Sequence, residues 1–286
     1  MKRKLLFAST LTIIVLLVFV YACKKDSAPA VVDNTQLVAN NAPFSANSVE
    51  KNAVIAVSSF ESINNFAQAG FISTSLKAGN LQFGSCPTII VNYTTPPYSI
   101  TLDWGTNCTG TDGVTRTGKI DVSLNGMMSV ANNVATMKIE NYVVDGKKIT
   151  GTTKITSAGP NPGNGWPRYD FTTEGKIEFA DKSIVSFKYD GVTLQQEGVA
   201  TPTVLTDDVW RTEVHSASGV NQDGTTWTAK STQVMIKKGD CKWFNSGIYE
   251  ITPSKGDKIT IDFGTGTCDN KAKMTKGTVT TEITLD

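Results

Sequence analysis

From residue 86 to the end of the chain, apolar and polar side chains alternate with a period of two. Ile100, Leu102 and Trp104 are separated by polar neighbours. So are Ile120, Val122 and Leu124, then Ile177 and Phe179, then Val185, Phe187 and Tyr189. Ile259, Ile261 and Phe263 repeat the pattern, as do Val279, Thr281, Ile283 and Leu285. Successive side chains of a strand point to opposite faces, so this period means one buried face and one wet face. Abundant threonine suits the same reading. Four Asp-Gly pairs punctuate it: Asp112-Gly113, Asp145-Gly146, Asp190-Gly191 and Asp223-Gly224. Asp-Gly fits a type I′ hairpin turn, whose two central residues both need positive φ. The segments add up to about 12 strands, nearly all antiparallel. The expected fold is all-β: a large antiparallel meander forming a curled sheet, sandwich or barrel-like structure, because an open meander must limit its exposed edges.

The chain before residue 81 reads differently. Residues 1–22 have the form of a lipoprotein signal peptide: Lys2, Arg3 and Lys4, then a run of 16 mostly apolar residues from Leu5 to Val20, then Tyr21-Ala22-Cys23. That run is short for a membrane span, which takes about 20 residues. The thiol of Cys23 is the expected lipidation point. Two or more acyl chains hold a protein stably on a membrane without crossing it. Lys24, in place of the Asp of an inner-membrane retention signal, points to the outer membrane, on its periplasmic face or at the cell surface. Residues 23–46 are polar and read as a flexible tether, with a mean span of roughly 25 Å. Residues 47–80 are expected to be helical. Val54, Val57, Phe60, Ile63 and Phe66 recur every three residues and give one helix over about 48–69 an apolar stripe to lay on the sheet. The β domain is placed at 81–286.

Charge and cysteines narrow the function classes. Removing residues 1–22 leaves 24 basic and 26 acidic residues, a balance with no basic stripe for nucleic acid. With Cys23 lipidated, Cys86, Cys108, Cys241 and Cys268 remain, an even number in a compartment where disulfides persist. Three pairings exist. Cys86–Cys108 and Cys241–Cys268 are favoured because each pair brackets one copy of a duplicated signature, "SITLDWGTNC" at 99–108 and "KITIDFGTGTC" at 258–268.

That signature has a chemical and a structural reading. Asp103, Asn107 and Asp112 in one copy, and Asp262, Asp269 and Asn270 in the other, carry oxygens suited to calcium, but their spacing is not that of an EF-hand loop. Asp and Asn also build turns, which is far commoner, so each copy is expected to be strand, stapled turn, strand. No metal and no cofactor is expected. There is one histidine, His215, which removes two-histidine zinc motifs, and no nucleophile elbow or phosphate loop accompanies it. Glu174, Glu178, Glu197 and Glu213 are the carboxylates that a glycoside hydrolase would need in a facing pair; nothing in the sequence brings two together. No catalytic residue is assigned.

"ITLDWGTNCTGTDGVTRTGKI", "NYVVDGKKITGTTKIT", "CKWFNSGIYEI" and "ITIDFGTGTCDNKA" together resemble an uncharacterised family of Bacteroidetes outer-membrane and surface lipoproteins, over most of the mature chain. The resemblance implies a lipid anchor and a β meander and carries no activity. The expectation for function is a non-enzymatic cell-envelope module, structural or binding. Its membrane contact runs through the lipid, and its candidate partner is a glycan or an envelope protein. Trp166, Arg168 and Tyr169, in the loop "GNGWPRY", are the candidate ligand residues. The alternatives are a carrier that encloses an apolar ligand in a curved sheet, and a glycoside hydrolase.

Overall fold

The computed structural model describes residues 75–77 and 87–285, apart from 93, 111–112, 202–204 and 242. The chain divides into two units, Met1–Asn34 and Thr35–Asp286, and all described residues belong to the second. The expected signal peptide, the expected lipidation site at Cys23, the expected tether and the helix expected over 48–69 lie outside the described residues. Residues 75–77, at the end of the segment expected to be helical, are a strand.

Among the described residues, sixteen strands form one antiparallel sheet. They are β1 (Ser75–Lys77), β2 (Thr88–Asn92), β3 (Tyr98–Asp103), β4 (Cys108–Thr109), β5 (Thr115–Thr117), β6 (Lys119–Leu124), β7 (Val134–Val144) and β8 (Lys147–Pro160). Then follow β9 (Pro167–Glu178), β10 (Ile184–Glu197), β11 (Val209–Val220), β12 (Thr226–Lys238), β13 (Ser246–Pro253), β14 (Ile259–Thr265), β15 (Lys271–Lys276) and β16 (Val279–Thr284). Chain order is sheet order with one exception: the small β4–β5 hairpin stands off the path between β3 and β6 and pairs with the end of β7. The sheet is open, with β1 and β16 at its ends. The count exceeds about 12 because pairs as short as β4 and β5 leave no readable alternation.

Alternation holds along most strands, as in β6, where Ile120, Val122 and Leu124 are buried and the residues between them exposed. The buried face forms one continuous core from Ile89 on β2 to Ile283 on β16. Tyr189 on β10 and Trp227 on β12 bring their ring centroids to 6.2 Å, and Tyr169 on β9 and Trp210 on β11 do the same. Alternate strands of a flat sheet stand about 9.6 Å apart, so the inner side chains converge.

The Asp-Gly pairs divide. Asp145 and Gly146 both take positive φ, 46° and 75°, between β7 and β8, as a type I′ turn requires. Asp223-Gly224 sits in the turn between β11 and β12. Asp190-Gly191 is no turn: it runs through the middle of β10, opposite a bulge in β11. The loop that holds Trp166 is short, because β8 continues to Pro160 and β9 starts at Pro167.

Candidate functional site

Five adjacent strands carry an unusual row. Gly151 on β8 pairs with Gly175 on β9, Gly175 with Phe187 on β10, Phe187 with Gly219 on β11, and Gly219 with Trp227 on β12. These residues face inward, where Phe187 and Trp227 are buried. Their rings cover the glycines: a Cβ on Gly175 would stand 2.8 Å from Cζ of Phe187, and one on Gly219 2.4 Å from Cζ2 of Trp227. Glycine is required here by close approach, with an aromatic ring replacing the missing side chain. Three of five inner positions thus lack a Cβ.

The outer face shows the result. A groove of about 720 Å³ crosses the same five strands, a length of about 19 Å at four strand spacings. The glycine row is its floor. One wall is Thr150, Lys176, Ser186, Val220 and Thr226, paired in that order; the other is Thr152, Glu174, Lys188, Ser218 and Thr228. Six hydroxyls, two ammonium groups and one carboxylate therefore line an open channel. Single glycines inside strand patterns were the available sequence signal. Their alignment across strands depends on register, which the sequence does not display.

The three expected ligand residues are split by the pleat. Tyr169 points inward, 6% exposed, against Trp210. Arg168 points outward, and its Nε and Nη2 donate to Oδ1 of Asp170 at 3.1 and 3.0 Å. Trp166 is half-buried at the tip of the β8–β9 turn, which is fixed by Trp166 N–H donating to Asn164 Oδ1 at 3.1 Å and Asn161 N–H to Trp166 O at 2.8 Å. The Arg211 guanidinium lies 5.9 Å from the Trp166 ring centroid and donates to Gln196. Arg168, Leu194 and Arg211 share one outward row of register partners. Trp166 and Arg168 thus belong to the outer face that carries the groove, beyond its end, and Tyr169 does not. Trp210 and Trp227 are buried in strands, whereas Trp243 lies in the β12–β13 loop.

In both copies of the duplicated signature the Asp closes a turn. The Gly105 N–H donates to Asp103 Oδ1 at 2.8 Å, and the Gly264 N–H donates to Asp262 Oδ1 at 2.9 Å. Each Asp closes a turn on a glycine of positive φ, 64° and 90°. The residues between, Trp104 and Phe263, are buried and paired with Tyr142 and Phe244. The Lys119 ammonium at 2.9 Å, then the Gly105 N–H, hold the Asp103 carboxyl below its usual range. Among the described residues, no group of three or more His, Cys, Asp or Glu is placed to hold a metal. Cys241 and Cys268 are bonded, with Cα atoms 5.6 Å apart. Cys108 is disulfide-bonded too; the partner expected for it, Cys86, lies outside the described residues.

The four candidate carboxylates fall in four different register rows. Glu174 lines the groove and Glu178 pairs with Lys182 at 2.9 Å. Glu197 ends β10, and Glu213 lies opposite Val192. His215 is exposed at the β11 bulge, while its neighbour Ser216 donates to Asp190. A carboxyl absent from the sequence reading is Asp208, 3% exposed, whose Oδ1 accepts from Gln195 Nε2 at 2.9 Å. Gly198 roofs it: a Cβ there would meet Oδ1 at 1.9 Å. Burial pushes its pKa up to about 6, against hydrogen bonds from Gln195 and Trp210.

Comparisons with protein-family models, curated proteins and solved structures return no match.

Proposed function

We propose that this chain is a cell-envelope lipoprotein, held to the outer membrane through Cys23, whose β domain binds an extended glycan without chemical conversion. The observation that carries the reading is the channel across β8–β12. It is open, about 19 Å long at four strand spacings, and lined by hydroxyls and charged groups with main chain for a floor. Such a surface offers hydrogen bonds to a polymer of hydroxylated rings lying across the strands. The test is electrophoresis of the mature protein through gels containing soluble polysaccharides. Retardation by at least one polymer is expected. Ser218→Arg and Thr228→Arg, both at exposed wall positions, fill the channel and abolish retardation. No retardation by any polymer, or retardation indifferent to both blocking substitutions, removes the reading. Acyl mass on the peptide containing Cys23 tests the anchor separately.

The carrier alternative retains one observation. The Tyr249 hydroxyl is buried on the inner face with no hydrogen-bond partner among the described residues. A lipid found by mass spectrometry of solvent extracts of the purified protein would favour it.

A further inference from the structure

We propose that the channel across β8–β12 selects an acidic, carboxylate-bearing polysaccharide, with Lys176 and Lys188 as its charge-reading residues. This rests on the glycan reading above and narrows it. Neutral sugars are commonly held by packing their apolar faces on exposed aromatic rings. Here the only two aromatic residues of the channel, Phe187 and Trp227, are 4% and 3% exposed, with their rings committed to Gly175 and Gly219 on the other side of the sheet. Selection must therefore come from hydrogen bonds and charge.

The charge is available. Lys176 and Lys188 stand on opposite walls of the channel and on adjacent strands, as diagonal neighbours: Lys188 pairs in register with Glu174, two residues before Lys176. Diagonal neighbours of this kind lie about 7–8 Å apart, within reach of one sugar residue for two long side chains. Among the described residues, neither lysine has an ion pair or a side-chain hydrogen bond, in contrast to Lys119, Lys182, Lys258 and Lys271, which are all paired with carboxylates. Glu174, opposite Lys188 on the same wall and two residues from Lys176, accepts from sugar hydroxyls. The six wall hydroxyls serve the uncharged rest of the chain. An ammonium reads a carboxylate as a point charge and tolerates rotation of the ring that bears it, which suits an open channel.

The experiment measures affinity of the mature protein for polygalacturonate and for dextran at several salt concentrations. Three variants accompany it: Lys176→Ala, Lys188→Ala and their double. Lys230→Ala is the control, an exposed lysine on β12 outside the channel wall that removes the same charge. Expected are binding to polygalacturonate that weakens with salt, binding to dextran at least tenfold weaker, and a loss of about tenfold in the double variant with under twofold in Lys230→Ala. Equal affinity for dextran, or polygalacturonate binding that ignores the lysine substitutions, overturns the acidic selection and leaves a neutral glycan site. A loss in Lys230→Ala equal to that of the double variant overturns it as a general charge effect. Binding to neither polymer here, nor to any polymer in the electrophoresis above, fails the glycan reading itself.

Discussion

Replacing Asp208 with asparagine should stabilise the protein, and only above acidic pH. Asp208 is buried under Gly198, and its folded pKa of about 6 exceeds the roughly 3.9 of an unfolded aspartate. The folded state therefore holds this proton more tightly than the unfolded chain does. The carboxyl favours the fold fully below about pH 3.9, loses that support as pH rises to about 6, and is a constant burden above it. Two pKa units at 1.36 kcal/mol each set the loss at about 3 kcal/mol. Asparagine keeps an oxygen to accept from Gln195 and Trp210 and carries no charge. At pH 8 a gain of about 2–3 kcal/mol is expected, which for a domain of this size raises Tm by about 4–10 °C. At pH 4 the two proteins should coincide. Urea titrations from pH 4 to 8 measure the difference. The comparison must be made between variant and parent, because carboxylates whose pKa is lowered, Asp103, Glu178 and Asp181, give the parent curve an opposing slope. An asparagine variant no more stable than the parent at pH 8, or a difference that does not shrink toward pH 4, would refute the reasoning.

Gly175→Ala places a methyl 2.5 Å from the Thr150 carbonyl oxygen and 2.8 Å from the Phe187 ring; a loss of about 1–3 kcal/mol in urea titration is expected, and the same for Gly219→Ala. Cys241→Ser with Cys268→Ser opens a bridge of 27 residues' separation and should cost about 3.5 kcal/mol, read as a lower denaturation midpoint. Asp262→Ala leaves the Gly264 N–H without its acceptor, for a loss of about 1 kcal/mol. Because both duplicated Asp residues are engaged with main-chain N–H groups, EDTA should leave the thermal midpoint of the parent unchanged.

The sheet was legible because its inner face is nearly uninterrupted: a period of two needs only a few residues per strand to show, and β6, β9 and β14 supply them. The β7–β8 turn was legible because Asp145-Gly146 lies between strands that both alternate. Asp190-Gly191 carries the same two letters without being a turn. There the glycine answers to the Phe171 ring across β9, which would stand 2.8 Å from a Cβ at that position. A dipeptide does not distinguish the need for positive φ from the need for space. The same limit hid the channel. Each of its glycines looks like a weak point in its own strand, and only the pairing of β8 through β12 sets them in line. Trp166 was legible as a loop residue; Arg168 and Tyr169, read in the same loop, belong to β9, where the pleat turns Arg168 outward and Tyr169 inward. Asp208 gave no signal, since burial of a single acid depends on what closes over it.

The glycine row ties the depth of the channel to the integrity of the fold. Any larger residue there meets a ring or a carbonyl on the inside before it alters anything outside, so the trough is fixed by what lies beneath it. The flanking rows carry no such obligation. On the proposed binding role, the rims are free to drift while the bed stays constant, and related chains should differ at positions such as 176, 188 and 218 long before they differ at 151, 175 or 219.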